Sequence, residues 1–335
     1  MAPPPLRVLG SPMKKKYPVS DHCDGELFFN PEVSVDRTFL EVLKWTLKKP
    51  KNGFPKWVEN TAKPQLPVKI EKEEAFVTFI NHVTFLLQLS GQTVLFDPVF
   101  CRAAAPIQFG GYQRVRRPGI ELKDLPQIDV VVVSHNHYDH MDLQSLKYLH
   151  KKYKPLFVVP LGNARYIENF GGSVNVVELD WWQEHLTNGL KITLTPAQHW
   201  SARGLFDRRQ ALWGGFVIES RNQNKFFFVG DSGFSEKMYS EIYKKFGGFD
   251  LSFIPIGAYE PRWFMNDVHM NPEEAVKTHT LVKSGLSIGM HFGTFNLTDE
   301  TFEQPLIDLR IALEKYQVSN FEIMTEGQTR KFSFR

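Results

Sequence analysis

Residues 128–140 read IDVVVVSHNHYDH, four consecutive valines running straight into three histidines and an aspartate. An apolar run without alternation is the pattern of a strand buried on both faces. The polar residues behind it then sit on a loop at the strand's end, held by a rigid scaffold, where reactive groups are commonly found. His135, His137, Asp139 and His140 place four potential metal ligands within six residues. In an extended segment His135 and His137 share a face, while Asp139 and His140 reach a second point beyond it. Zinc accepts both imidazole nitrogen and carboxylate oxygen. A solvated polar loop is the bland alternative, and this density directly behind a buried strand makes it a poor one.

That loop cannot fill two metal positions alone, so further ligands must come from other strand ends. Three residues have the same context. His199 lies in TPAQHW (195–200) after the apolar run 190–195, Asp231 closes KFFFVGD (225–231), and His291 follows GLSIGM (285–290). A carboxylate at Asp231 could bridge two ions. Asp97, closing TVLFD (93–97), reads either as the partner that orients a ligand histidine or as a turn residue before Pro98.

Elsewhere short β-branched and aromatic runs recur from Ala75 onward, with helical candidates over 142–153, 163–169, 235–246, 272–284 and 300–316. The pattern predicts an α/β fold in which two sheets pack together and helices cover their outer faces. No linker-like stretch divides residues 71–335, which read as one domain. Residues 1–70 differ, with twelve basic against seven acidic residues and no run of strands, and read as a partly ordered N-terminal extension. Within it Phe39, Leu40, Leu43 and Leu47 recur at helical spacing over 35–47. That helix either packs on the main domain or serves as an interfacial or homodimer contact.

Composition removes several classes. Two cysteines, Cys23 and Cys101, exclude a disulfide framework and a four-thiolate metal site. No stretch of about 20 apolar residues argues for a span, and MAPPPLRVLGSPMKKKYP has no apolar core of a secretory signal, so a cytoplasmic location is expected. A net charge of +3 gives no case for nucleic acid. GLSIG (285–289) matches a nucleophile-elbow pattern, but no histidine follows His291 to complete a triad. His22, His82, His150, His185 and His279 read as structural.

H-x-H-x-D-H followed by a lone histidine, an aspartate after a strand and a final histidine resembles the metallo-β-lactamase superfamily. The blocks FINHVTFLLQLSGQTVLFDPVF (79–100), SHNHYDHMD (134–142), TPAQHW, GDSGF (230–234), AYEPRWFM (258–265), HMNPEEAV (269–276) and MHFGTF (290–295) are similar to its N-acylphosphatidylethanolamine-hydrolysing phospholipase D family. The resemblance implies a four-layer αββα sandwich with two zinc ions at one edge of the sheets. His135, His137 and His199 would hold the first ion, and Asp139, His140 and His291 the second, with Asp231 bridging. It further implies a phospholipid substrate, cleaved to phosphatidic acid and an N-acylethanolamine. His269 would be a proton donor to the leaving alkoxide, and Tyr138 and His269 would contact substrate. Such a protein has to dock peripherally on a membrane, and the 35–47 stretch and the Trp181-Trp182 pair are the docking candidates. A lactonase with the same metal pair and a non-catalytic metal-binding protein are the rival readings.

Overall fold

The computed structural model describes residues 17–37, 39–48, 53–89, 91–108 and 112–333. The basic run Lys14-Lys15-Lys16 lies outside them. Six strands follow one another in the first half: β1 (Glu74–Asn81), β2 (Thr84–Leu89), β3 (Gln92–Phe96), β4 (Val130–Val132), β5 (Leu156–Pro160) and β6 (Val176–Leu179). The second half supplies β7 (Glu184–Thr187), β8 (Leu190–Thr195), β9 (Gly215–Glu219) and β10 (Lys225–Phe228). It continues with β11 (Phe249–Pro255), β12 (Ser284–Met290) and β13 (Phe321–Glu322), and β14 (Thr329–Ser333) returns to pair with β1. Among the described residues these make two sheets, ordered β14-β1-β2-β3-β4-β5-β6 and β13-β12-β11-β10-β9-β8-β7. Both are mixed: β3 to β6 and β10 to β13 run parallel with their neighbours, and the remaining pairs are antiparallel.

The valine run shows how the layers are made. Val130 and Val132 point into the core between the sheets, while Val131 and Val133 join the cluster that also holds Leu146 and Leu149 of α2 (Leu143–Tyr153). Across the inter-sheet space Phe85 meets Phe253 with ring centroids 4.4 Å apart, and Phe96 meets Phe228 at 5.0 Å. The abundant phenylalanines therefore fill the seam between sheets. On the far side of the second sheet, after the single turn α4 (Arg262–Met265), α5 (Pro272–Leu281) packs on β11 and β12 with α3 (Glu236–Phe246) and α6 (Gln304–Tyr316) beside it. Helix, sheet, sheet, helix is the layering the sequence predicts. The Asn271 cap forms a full capping box with Glu274, which fixes where α5 starts. By contrast, 163–169 makes only a short 3-10 turn at Ala164–Tyr166, and the chain leaves it through Gly171 and Gly172 at positive φ.

The segment read as an extension is tied to the body at several points. Tyr17, Cys23 and Phe28 join the inter-sheet core, and Phe28 donates its N–H to the Arg209 carbonyl. His22 stacks on Trp181 at 4.2 Å and reaches Asp180 Oδ1 at 2.8 Å. Trp181 itself is buried and donates Nε1–H to the Trp213 carbonyl, so it anchors this segment and offers no docking surface, whereas Trp182 is half-buried with Lys245 over its ring. Helix α1 (Phe39–Lys48) does form over the periodic stretch. Among its described side chains Trp45 turns inward, stacked on Phe264 at 5.1 Å, while Leu40, Leu43 and Leu47 are 73%, 40% and 77% exposed. Their common face is turned outward.

Phe253→Ala, which empties the centre of the seam between Phe85 and Phe96, is expected to cost about 3–5 kcal/mol and to lower the calorimetric melting temperature without changing metal stoichiometry.

Candidate metal centre

All seven residues chosen as ligands meet at one edge of the two sheets. Each follows the end of a strand: His135 to His140 after β4, His199 after β8, Asp231 after β10 and His291 after β12. His135, His137 and His199 bring ring nitrogens close together, with His135 Nε2 and His199 Nε2 at 2.8 and 3.2 Å from His137 Nδ1. Asp139, His140 and His291 form a second group, in which His140 Nε2 and His291 Nε2 lie 3.6 and 3.4 Å from Asp139 Oδ2. Asp231 Oδ2 stands between the groups. It is 3.1 Å from both His140 Nε2 and His291 Nε2, 3.8 Å from His199 Nε2 and 4.0 Å from His135 Nε2.

Whether a cation suits this space is a question about donors. His140 Nε2 and His291 Nε2 are buried and make no hydrogen bond despite their 3.1 Å approach to Asp231, and neither does Asp231 Oδ1. Buried polar atoms normally find partners, and a ring of them aimed at common points is what a metal ion would satisfy. The protonation states agree. Burial holds His135 well below the ordinary imidazole range, and brings His137 to about 4 and His199 to about 3 against the pull of the neighbouring carboxylates. These three present free lone pairs. For His140 and His291 burial also opposes the charge, but Asp231 and Asp139 outweigh it, holding His140 well above its usual value and His291 at about 9. Two protons are thus drawn in by carboxylates, and a metal would replace them. Burial would raise Asp139 and Asp231, yet the adjacent imidazoles hold both well below the carboxylate range.

Asp97 sits behind this cluster in the orienting place expected of it. Its Oδ2 accepts from His140 Nδ1 at 2.6 Å and from Ser134 Oγ at 2.5 Å, and its Oδ1 accepts from the Ser134 N–H. Committing Nδ1 of His140 to this bond leaves Nε2 for the centre. His199 is turned likewise by donating Nδ1–H to the Val268 carbonyl. His82, set aside as structural, belongs to the site: Nε2 lies 3.2 Å from Asp139 Oδ2 and its ring is 4.3 Å from His291. Asn81-His82, a polar pair at the tip of an otherwise apolar hairpin, marks a turn in the sequence but not a ligand. His82, Asp97, Ala258 and His291 all have positive φ, a conformation that costs non-glycine residues energy and collects at functional sites.

Two predicted substrate contacts differ in kind. His269 lies beside the cluster with Nδ1 buried, unpartnered and 3.9 Å from Asp231 Oδ2, and burial keeps its ring neutral. Tyr138 spends its hydroxyl on the Arg203 carbonyl at 2.6 Å, and its ring is covered by the Arg203 guanidinium at 4.2 Å. Sequence reading missed Arg203. It donates to the Asn136 and Met141 carbonyls and so brackets the ligand loop. Ser287 of the elbow-like GLSIG is buried on β12 and bonded to His279, in keeping with a chance match.

A family model of the beta-lactamase superfamily domain matches residues 92–292. A phospholipase named for hydrolysing N-acyl-phosphatidylethanolamine in Caenorhabditis elegans is 41% identical over 266 residues, 76% of this chain and 74% of that one. The chain belongs to the N-acylphosphatidylethanolamine-hydrolysing phospholipase D family. The family's mitochondrial member from Saccharomyces cerevisiae is 32% identical over 74% of this chain, which spans 55% of its length. The solved isothiocyanate hydrolase from Delia radicum gut bacteria superposes with a TM-score of 0.62 at 22% identity, covering 77% of this chain and 99% of that one. That likeness speaks for the fold. The chain is thus a metallo-β-lactamase-type hydrolase with a His/Asp cluster able to bind metal.

Asp97→Asn should release the His140 ring and weaken metal affinity by roughly 10- to 100-fold, read by chelator competition, with far-UV circular dichroism unchanged.

Proposed function

We propose that this family member is a dizinc phosphodiesterase of the phospholipase D type, hydrolysing N-acylphosphatidylethanolamine to N-acylethanolamine and phosphatidic acid. The observation that carries the reading is a cleft of about 500 Å³ that ends on Asp231, His269 and His291. Its walls are apolar where they leave the cluster, with Trp45, Phe264, Val268 and Leu297 along them. A long acyl chain beside a charged phosphodiester needs this division of polar floor and apolar wall.

His135, His137 and His199 would hold one zinc ion, and Asp139, His140 and His291 the other, with Asp231 between them. A zinc pair bound there supplies Lewis acidity, activating water near neutral pH and offsetting charge on the phosphoryl oxygens. The rest falls to the chain. Attack by water forms one P–O bond and breaks the P–O bond to ethanolamine, whose oxygen must gain a proton. His269, kept neutral by burial at the cleft floor, can carry a proton on one nitrogen while accepting on the other, and is the group placed to pass it on. The apolar walls hold the chains and exclude water from the floor.

Access to lipid is the remaining requirement. No helix among the described residues is long and apolar enough to cross a membrane. Leu40, Leu43 and Leu47 share the outer side of α1, whose Trp45 lines the cleft, and Trp263 beside the lining Phe264 is also exposed. Immersing a leucine contributes roughly 1.5–3 kcal/mol, so this helix is suited to resting on a bilayer with the cleft facing it.

The deciding assay offers the purified zinc-loaded protein N-acylphosphatidylethanolamine in micelles and, separately, acyl lactones. Phosphatidic acid and N-acylethanolamine are expected from the first. Lactone opening without lipid hydrolysis would replace this reading by the lactonase one. His269→Ala should cut kcat by 10²- to 10⁴-fold, the usual worth of a positioned acid or base, with zinc content unchanged. Replacing Leu40, Leu43 and Leu47 together by serine should reduce vesicle sedimentation while sparing hydrolysis of a monomeric short-chain substrate.

A further inference from the structure

Of the four residues that stand first after their strands in the cluster, His199 lies farthest from its strand. His135, Asp231 and His291 each lie within three residues of their strands, whereas His199 stands four residues past β8 in a connection without helix or strand up to β9. Its backbone is instead held from the N-terminal segment. Asn30 is 8% exposed; its Nδ2 donates to the His199 carbonyl at 2.8 Å and its Oδ1 accepts the His199 N–H at 3.1 Å. One side-chain amide thus satisfies both polar groups of one residue's backbone, as a neighbouring strand would.

Seven residues on, the same segment reaches the other support of His199. Arg37 donates Nε–H and Nη2–H to the Phe264 carbonyl, and Nη2 also meets Asp267 Oδ2 at 2.8 Å. The stretch they pin, 264–268, contains the Val268 carbonyl that accepts from His199 Nδ1 and leads directly to His269. Between the two contacts the Val35 carbonyl accepts from Arg208, whose guanidinium covers Trp200 at 3.9 Å.

We infer that residues 30–37 form a strap that positions the metal centre, with Asn30 as the positioning residue for His199 and Arg37 as the positioning residue for the 264–269 loop. The inference rests on the ligand set proposed above. Physically, a ligand imidazole must be held in place before the ion arrives, because freezing a mobile loop at the moment of binding subtracts from affinity. Backbone bonds from Asn30 fix where the His199 ring starts, and the Val268 carbonyl, steadied by Arg37, fixes its rotation. Two side chains of the N-terminal segment, Asn30 and Arg37, then support the metal centre.

The test compares the full-length wild type with Asn30→Ala, Asn30→Asp and Ser34→Ala, an exposed position on the same strap. Zinc affinity is measured by chelator competition, and amide hydrogen exchange at His199 is followed in metal-free protein. Asn30→Ala should weaken zinc binding by roughly 10- to 100-fold, as loss of a ligand's supporting partner does, and should speed exchange at His199. Asn30→Asp, which keeps only the acceptor, should fall between, and Ser34→Ala should match wild type. Arg37→Ala should weaken zinc by a smaller factor, with Arg37→Lys restoring part of it. Wild-type zinc affinity and exchange in Asn30→Ala would overturn the strap. So would a zinc defect matched by an equal fall in the melting temperature of the metal-free protein, which would make Asn30 an ordinary fold contact. Because neither readout involves lipid, a chain that binds zinc but hydrolyses no phospholipid sinks the substrate reading alone.

Discussion

Asp231, itself almost wholly buried, places Oδ2 within 4.0 Å of nitrogens from His135, His140, His199, His269 and His291. A carboxylate buried this deeply is costly unless positive charge faces it. Imidazoles alone answer that need imperfectly. They can become cations at His140 and His291, but His135, His137 and His199 stay neutral, with lone pairs converging on one another. Cations held among these groups would satisfy the carboxylates and the lone pairs together. Much of the surrounding architecture serves to keep these groups where only such an arrangement relieves them.

The sheets deliver the groups, and the tightest turns fine-tune them. Gly230 takes φ of +68°, and a Cβ there would lie 2.9 Å from the Gly214 carbonyl, so only glycine lets Asp231 approach the β4 end this closely. A Cβ on Gly257 would fall 2.0 Å from the His291 carbonyl. The turn after β10 thus meets the backbone before β9 and the end of β4, and the turn after β11 meets the end of β12, with no space for side chains. The strain at His82, Asp97, Ala258 and His291 is carried by the packed sheets behind, whose inter-sheet seam of phenylalanines cannot yield without opening cavities.

The sequence made the fold and the clustered side chains readable for a single reason: both are written in short range. Four valines before His135 announce a doubly buried strand, and a polar residue just after an apolar run announces a strand end, which located His199, Asp231 and His291 without any knowledge of their partners. What stayed hidden depends on long-range pairing. His82 lies in a two-residue turn with no ligand spacing to mark it. Arg203 looked like one basic residue among forty until its position across the 136–141 loop was seen. Asn30 bonds a residue 169 positions away, which no local pattern encodes. The 163–169 helix failed for a local reason, since the glycines behind it end the turn before helical bonds accumulate.

The N-terminal segment shows what composition leaves unsaid, and the reason is physical. A stretch rich in lysine and proline without strand periodicity looks unable to bury enough apolar surface to fold by itself. It does not have to. Tyr17, Cys23 and Phe28 are few, but they enter a core already built by the two sheets, and Asn30 and Arg37 pair with backbone groups the body leaves open. Two residues after Arg37 the chain enters α1, whose Trp45 faces the cleft and whose leucines face outward. One short segment therefore touches the ligand loop, the loop bearing His269 and the cleft wall in order. A low density of apolar residues in a sequence measures what a segment can do alone, and says little about what it completes when the partner surface is already rigid.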